Sequence, residues 1–186
     1  MTKFAVVALL ALALLLSGCG ATNNTTTNND TSASGSWEAQ LTGGTDQASL
    51  LNFVTTFSVT NTGPLDVTGF AFFNAGSCFA TGTDAESVSG DATLVTSSTS
   101  SVTGTLNMTI ASGTNGSVLT LTGDLTGTSS GTSTTSGTLK NGVVVGSWSL
   151  TPGAKATGCN AGTGDFVMCQ GKATCTTTAA VAVKRF

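Results

Sequence analysis

The chain lacks histidine altogether, and this absence excludes several kinds of site at once. A nucleophilic triad of the Ser-His-Asp kind needs an imidazole to take the proton of the serine, so hydrolases of that kind are excluded. Structural zinc is held by histidines and closely spaced cysteine pairs, and the sequence has no Cys-x-x-Cys pair either. We therefore predict neither a bound metal nor a cofactor.

Charged side chains are also scarce, with six Lys and Arg and nine Asp and Glu residues in a chain of 186. A protein that binds nucleic acid normally carries a basic patch, whereas the few basic residues here are scattered, so we predict no nucleic-acid partner. Thr, Ser, Gly and Asn occupy most polar positions. Because Thr and Val favour strands, and the usual helix formers are rare beyond the amino-terminal stretch, the composition predicts an all-β fold.

The amino terminus has the layout of an export signal. Lys3 supplies one positive charge, and an uninterrupted apolar run follows from Phe4 to Leu16. A helix that spans a bilayer needs about 20 apolar residues, so this run is too short for a permanent transmembrane anchor. The run ends in Leu16-Ser17-Gly18-Cys19.

This four-residue sequence resembles the lipobox of bacterial lipoproteins. The resemblance implies that the Cys19 thiol receives a diacylglycerol, that the chain is cleaved just before Cys19, and that the new amino terminus is acylated, for instance with palmitate. Gly20 rather than Asp follows the cysteine, which implies the outer membrane or the cell surface rather than the inner membrane. The alternatives are an ordinary signal peptide with a chance cysteine and a buried hydrophobic helix.

Three parts of the chain follow from this interpretation. We predict a signal peptide over residues 1–18, a lipidated cysteine with a disordered Thr/Asn/Ser tether over 19–35, and a single β domain over 36–186. The tether has nothing apolar to bury and so cannot offset the entropy of ordering. The membrane, reached through the lipid, is the expected partner.

From Trp37 onward, apolar and polar residues alternate with the period of two that is typical of half-buried strands. In the segment "SVTGTLNMTIA", for example, Leu106 and Met108 alternate with Thr105 and Asn107. Such segments recur at intervals of about 10 residues, which indicates an antiparallel meander. We predict a closed or nearly closed barrel of about eight strands, with a β-sandwich as the alternative.

Several local features refine this meander. We expect a turn at Gly63-Pro64 and a bulge near Gly69, within the segment "LDVTGFAFFN", both faces of which carry apolar residues. Asn141-Gly142 lies between two strand-like segments and predicts a hairpin, since a type I′ turn needs positive φ at both central residues.

The Gly-Ser-Trp sequence at Gly35–Trp37, repeated at Gly146–Trp148, resembles the Gly-x-Trp opening of lipocalin and avidin-type barrels. The resemblance implies a meander barrel. Biotin binding does not follow from it, because the chain has no tyrosine and only two tryptophans, unlike avidin-type binding sites.

A small barrel either fills with side chains or holds one ligand. Trp37, Phe53, Phe57 and Trp148 are the candidates to line an apolar ligand cup. We therefore expect a non-enzymatic, membrane-tethered envelope lipoprotein that binds a small apolar ligand or a partner protein. The alternative is a structural or adhesive surface module with a filled core.

Acidic residues gather in the segment "GTDAESVSGD". Asp84, Glu86 and Asp91 could supply oxygen ligands for a cation such as Ca²⁺, but their spacing is not that of a known calcium loop, and a solvated turn before a strand is the favoured explanation. Glycosidases need paired carboxylates, so a hydrolase that uses Asp84, Glu86 or Asp124 is the less favoured alternative.

Apart from Cys19, the chain has an even set of cysteines, Cys78, Cys159, Cys169 and Cys175. In an exported protein these are expected to form disulfides. We prefer a short bridge between Cys169 and Cys175 across a turn at Gly171, which leaves Cys78 to pair with Cys159. The competing pairing joins Cys159 to Cys169 across a Gly-rich loop.

We predict that replacing the lipid-bearing cysteine releases the protein from the membrane. The variant Cys19→Ala should leave the detergent phase on partitioning, and the intact mass of the unaltered chain should include the acyl groups, because two or more acyl chains are needed for firm anchoring. A Cys19→Ala protein that still enters the membrane fraction would contradict the lipobox.

Overall fold

A computed structural model describes residues 31–42, 51–80 and 86–171, and these residues form an all-β fold. The nine strands are β1 (Thr31–Thr42), β2 (Asn52–Thr60), β3 (Thr62–Pro64), β4 (Asp66–Asn74), β5 (Glu86–Thr96), β6 (Ser101–Ser112), β7 (Val118–Ser129), β8 (Gly137–Thr151) and β9 (Gly162–Gln170). Within these ranges no helix is long and apolar enough to cross a membrane. The predicted signal peptide, Cys19, Asp84 and Cys175 lie outside the described residues.

β7 illustrates why these segments become strands. Leu119, Leu121 and Leu125 are buried, and the residues between them, such as Thr120 and Thr122, are exposed. Successive side chains of a strand point to opposite faces, so this pattern places every leucine on one side of the sheet. The alternation predicted from the sequence is therefore confirmed in this part of the meander.

The strands form one sheet in the order β3-β5-β6-β7-β8-β9-β1-β2-β4. Neighbouring strands are antiparallel, and β1 and β8 add a short parallel contact at Thr31 and Ser32. β3 and β4 lie at opposite ends of this order, yet only Leu65 separates them in the chain. The sheet therefore curls until its two ends meet, and the predicted barrel is confirmed as a nearly closed one.

The inward-facing side chains form one contiguous apolar cluster inside the barrel. Its bulkiest fully buried members are Trp37, Trp148, Phe53, Phe57 and Phe166. We call the end of the barrel at which β1 begins, with Thr31, the lower end, and the end that contains Thr42 the upper end.

The sheet begins earlier than residue 36, the start that the composition predicts. Residues from Ser32 to Gln40 of β1 pair with β2. The Thr31 N–H donates to Oδ1 of Asn61 at 2.9 Å, and Ala33 is fully buried in the core. Residues 31–35 therefore belong to the sheet and not to the tether, whereas residues 19–30 lie outside the described range.

The hairpin expected at Asn141-Gly142 is wrong, because both residues lie inside β8, a continuous strand from Gly137 to Thr151. Thr128 of β7 lies opposite Lys140, and Thr126 opposite Val143, so the two residues form a bulge. Asn141 has a φ of 53°, a left-handed conformation that asparagine tolerates in bulges as well as in turns. The Asn-Gly pair bends the strand here and does not reverse it.

The turn expected at Gly63-Pro64 is also wrong. These residues belong to β3, in which Gly63 lies opposite Ala92 of β5. The chain turns just before β3, at Asn61, whose φ is 53°.

The bulge expected near Gly69 is confirmed. Thr56 lies opposite Gly69 and Phe57 opposite Val67, which leaves Thr68 as the extra residue of β4.

Packing at the β8 bulge predicts that adding even a methyl group at Gly142 lowers the stability of the fold. A Cβ at Gly142 would lie 2.5 Å from Cη2 of the buried Trp37, so Gly142→Ala should destabilise the fold by about 1–3 kcal/mol. Gly63→Ala is the matched control, since a Cβ there meets nothing within 4 Å. Denaturant unfolding checks both, and equal stability of the two variants would contradict the packing described.

Candidate functional site

The aromatic side chains that the sequence offers as a ligand cup are part of the core. Trp37, Phe53, Phe57 and Trp148 are each at most 2% exposed. The Trp37 ring stacks on Phe57 with 5.2 Å between the ring centroids. Trp148 Nε1 donates to the carbonyl oxygen of Thr42 at 3.1 Å, whereas the buried Trp37 Nε1 finds no hydrogen-bond partner in the part of the chain that the structure describes.

The barrel has one unsealed seam, between β4 and the first half of β5. The ladder of β3 against β5 continues as far as Leu65, whose N–H donates to the Gly90 carbonyl oxygen at 2.9 Å. In the same register, Val67 would lie opposite Val88, but among the described residues β4 pairs only with β2 and this part of β5 only with β6. Above Leu65, therefore, no ladder joins the described parts of these two strand edges.

A depression of about 230 Å³ occupies this seam. Its lining is Val67, Thr68, Gly69, Phe70, Glu86 and Val88. Phe70 is half-buried, because its ring packs 5.1 Å from that of Phe53 and 5.0 Å from that of Phe72, measured between centroids. The seam therefore brings a member of the predicted aromatic set, Phe53, directly behind an accessible phenylalanine.

Elsewhere in the barrel, a comparable gap is closed by a side chain. β9 ends at Gln170, and below this residue β1 and β8 converge until they pair directly at Thr31 and Ser32. The Gln170 Nε2 donates to the carbonyl oxygens of Ser34 and Leu139 at 2.9 and 3.2 Å, and its Oε1 accepts from the Gly142 N–H at 3.1 Å. The described residues provide no such bridge across the β4–β5 seam, so the seam is the place where strand edges stay accessible.

The upper end of the barrel is held by a disulfide between Cys78 and Cys159, as the preferred cysteine pairing expects. Cys78 lies in the connection from β4 to β5, and Cys159 in that from β8 to β9. Asn115, in the turn from β6 to β7, donates from Nδ2 to the Cys78 carbonyl oxygen at 3.0 Å. Three connections are thus fastened together beside the open end of the seam.

The remaining cysteines are only partly described. Cys169 is disulfide-bonded, and its partner lies outside the described residues, so the bridge to Cys175 remains a prediction. Cys169 faces the outside of the barrel with Val143 and Val167, and all three are buried.

The acidic candidates do not converge. Glu86 lies on the same side of β5 as the half-buried Val88, and its Oε1 accepts from the Ala80 N–H at 3.1 Å. Asp91, an odd number of residues further along the strand, points to the opposite side and accepts from Nδ2 of Asn107 at 3.1 Å. Asp124 is exposed on β7. Within the described ranges, no three acidic, Cys or His side chains are placed to hold a metal ion, and Asp84 lies outside them.

A second depression, of about 420 Å³, lies on the outside of the barrel across β7, β8 and β9. Its polar side chains are Thr120, Thr122, Ser147, Ser149, Thr163 and Asp165. Small-molecule sites are lined mainly by apolar and aromatic groups, so this hydroxyl-rich surface does not suit the apolar ligand that the sequence suggests.

Sequence reasoning missed Val67, Phe70 and Val88 as site residues. A signal was present in "LDVTGFAFFN", whose apolar residues fall on both faces of the strand. Phe72 faces the core while Phe73 is 59% exposed, so the outer face of β4 is also apolar. An edge strand that is apolar on both faces is a candidate contact surface.

Comparisons with known proteins add no relatives. No family model, no curated protein and no solved structure matches this chain.

The disulfide at the upper end should contribute strongly to stability. It closes a loop with a sequence separation of 81 residues, for which the chain-entropy model gives about 4 kcal/mol. The double variant Cys78→Ala, Cys159→Ala should lose about that much in denaturant unfolding without reductant. Thr157→Ala, an exposed change in the same β8–β9 connection, is the control and should unfold like the unaltered chain.

Proposed function

We propose that this chain is a non-enzymatic, lipid-anchored binding module of the bacterial envelope that contacts a partner protein at the β4–β5 seam. The observation that carries the proposal is the contrast between a barrel interior occupied by side chains and a seam whose strand edges and apolar lining stay accessible. The four predicted cup residues are buried in the core, so the structure supports a ligand held inside the barrel less well than a partner at the seam. They are Trp37, Phe53, Phe57 and Trp148.

The position of the seam suits an anchored protein. Thr31, at the lower end, follows Cys19 by twelve residues, a length that spans at most about 40 Å when fully extended. A lipid on Cys19 would therefore hold the lower end near the membrane. The seam opens toward the upper end, between Phe70 and Glu86, and would face away from the lipid surface, where a partner can reach it.

The arrangement of acids supports a non-enzymatic role. A carboxylate-based hydrolase needs two carboxyl groups within about 10 Å of each other on the two sides of one bond. Glu86 and Asp91 point to opposite sides of β5, and Asp124 lies on β7, beyond β6. Among the acids that the structure describes, which do not include Asp84, nothing favours a shared reaction centre.

Photo-crosslinking in the native host tests the proposal. Phe73 and Val95 are both large exposed apolar residues, 59% and 63% exposed, but Phe73 lies on β4 near the open end of the seam and Val95 near the lower end of β5. We expect a photoreactive phenylalanine at position 73 to give an adduct of protein size, and the same group at position 95 to give none.

The other outcomes are equally clear. An adduct with the mass of a small molecule at position 73 would replace the partner protein by an apolar ligand. No adduct at either position, in a chain that is membrane-bound and folded, would contradict partner binding at the seam and favour a structural module with a filled core.

A further inference from the structure

The geometry points to an extended polypeptide strand as the part of the partner that the seam takes. In this arrangement one strand of the partner pairs with the edges of β4 and β5 that no strand of the described residues occupies. The inference rests on the proposed function, since it names the chemistry of the group bound at the same seam.

Main-chain groups at the seam supply the first argument. The Gly90 carbonyl accepts from Leu65, so the N–H and C=O of Gly90 point toward β3 and β4. Along an antiparallel strand these groups alternate in direction from one residue to the next. Those of Val88 and Glu86 therefore point into the seam, where the ladder has already ended. Unpaired edges of this kind are templates for another strand.

The edge of β4, on the other side of the seam, also carries main-chain groups that face the seam. Val67 stands two residues beyond Leu65, before the bulge at Thr68, so its main-chain groups face the seam as well. A ligand that satisfies Val67 and Val88 must offer donors and acceptors that alternate along its length. An extended main chain has this pattern, whereas an acyl chain or an aromatic ring has none.

The side chains of the seam set the character of the occupant. Val67, Phe70 and Val88 are partly buried and pack against the core, and the depression they line is about 230 Å³. Small-molecule sites usually enclose about 300–1,000 Å³, so the seam is small and open-sided by comparison. It suits one or two apolar side chains that alternate with exposed polar ones along a strand.

Charge favours a basic residue at the upper end of the occupant. Glu86 is the one charged residue among those lining the depression, and the Ala80 N–H engages its Oε1. A fatty acid entering from this end would bring its carboxylate close to that of Glu86. A strand that carries Lys or Arg there would gain an ion pair instead.

The experiment uses the full mature chain in detergent, with its disulfides intact, and the synthetic peptide Lys-Thr-Val-Thr-Val-Thr-Lys. Saturating peptide should slow amide exchange at Val67 and Val88 by at least about tenfold, because these N–H groups become paired. The same peptide with methylated main-chain nitrogens keeps every side chain but loses its donors, and it should bind at least about tenfold more weakly.

Two variants separate main-chain pairing from apolar contact. Val88→Pro removes the N–H that faces the seam and should weaken peptide binding about tenfold or more. Val88→Ala keeps that N–H and should bind within about threefold of the unaltered chain. Far-UV dichroism verifies that Val88→Pro is folded, and the methylated peptide keeps the inference testable on the unaltered chain if it is not.

Three results would overturn the inference. The first is equal binding of the methylated and unmethylated peptides. The second is absence of protection at Val67 and Val88 with saturating peptide. The third is protection that depends on protein concentration without peptide, which would make a second copy of this chain the occupant. If either of the first two results came with a protein-sized adduct at position 73, the partner protein would still bind at the seam, but not through an extended strand.

Discussion

The two ends of the sheet are joined by β3, a strand of three residues, and by the Leu65–Gly90 hydrogen bond beside it. Because this ladder is so short, it closes only the lower part of the barrel, and the interior must be sealed by other means above it. Phe70 and Phe72 fill the space behind the open part, and the Cys78–Cys159 bridge fastens the connections over the upper end. The position and length of the seam follow from where β3 stops.

The strand ladders leave three places in the barrel unclosed: between β1 and β8 at Gln170, at the upper end, and at the β4–β5 seam. Each of the three is treated differently. Gln170 uses three hydrogen bonds between β1 and β8, each worth about 1 kcal/mol net. The disulfide acts mainly on the unfolded chain and contributes about 4 kcal/mol. The seam has neither a bridging side chain nor a crosslink among the described residues, and its edges keep their hydrogen-bonding capacity. A barrel that seals two gaps and leaves the third accessible has a natural place for contact.

The sequence predicts the all-β class, the alternation of β6 and β7 and the bulge beside Gly69, because each depends on residues close together in the chain. It fails at Asn141-Gly142, since a left-handed asparagine fits a hairpin and a bulge equally well, and only the Trp37 ring packed on Gly142 decides between them. The seam depends on the register of β3 against β5, which no local pattern encodes. Whether Trp37 and Phe53 line a cup or fill a core depends on the volume the closed sheet encloses.

The neighbourhood of β1 and β9 has a consequence for how the molecule forms. Trp37 pairs with Gln170 and Thr42 with Asp165, so strands from the beginning and the end of the domain lie side by side. Such long-range pairing makes folding slow, because a large loop must close before the contact repays its entropy. During synthesis β1 is made first, and its edge on this side has no partner until β8 reaches Thr31 and Ser32 and β9 completes the pairing. For most of that time its edge is exposed, and the chain depends on rapid completion, or on a chaperone, to avoid pairing with the wrong strand.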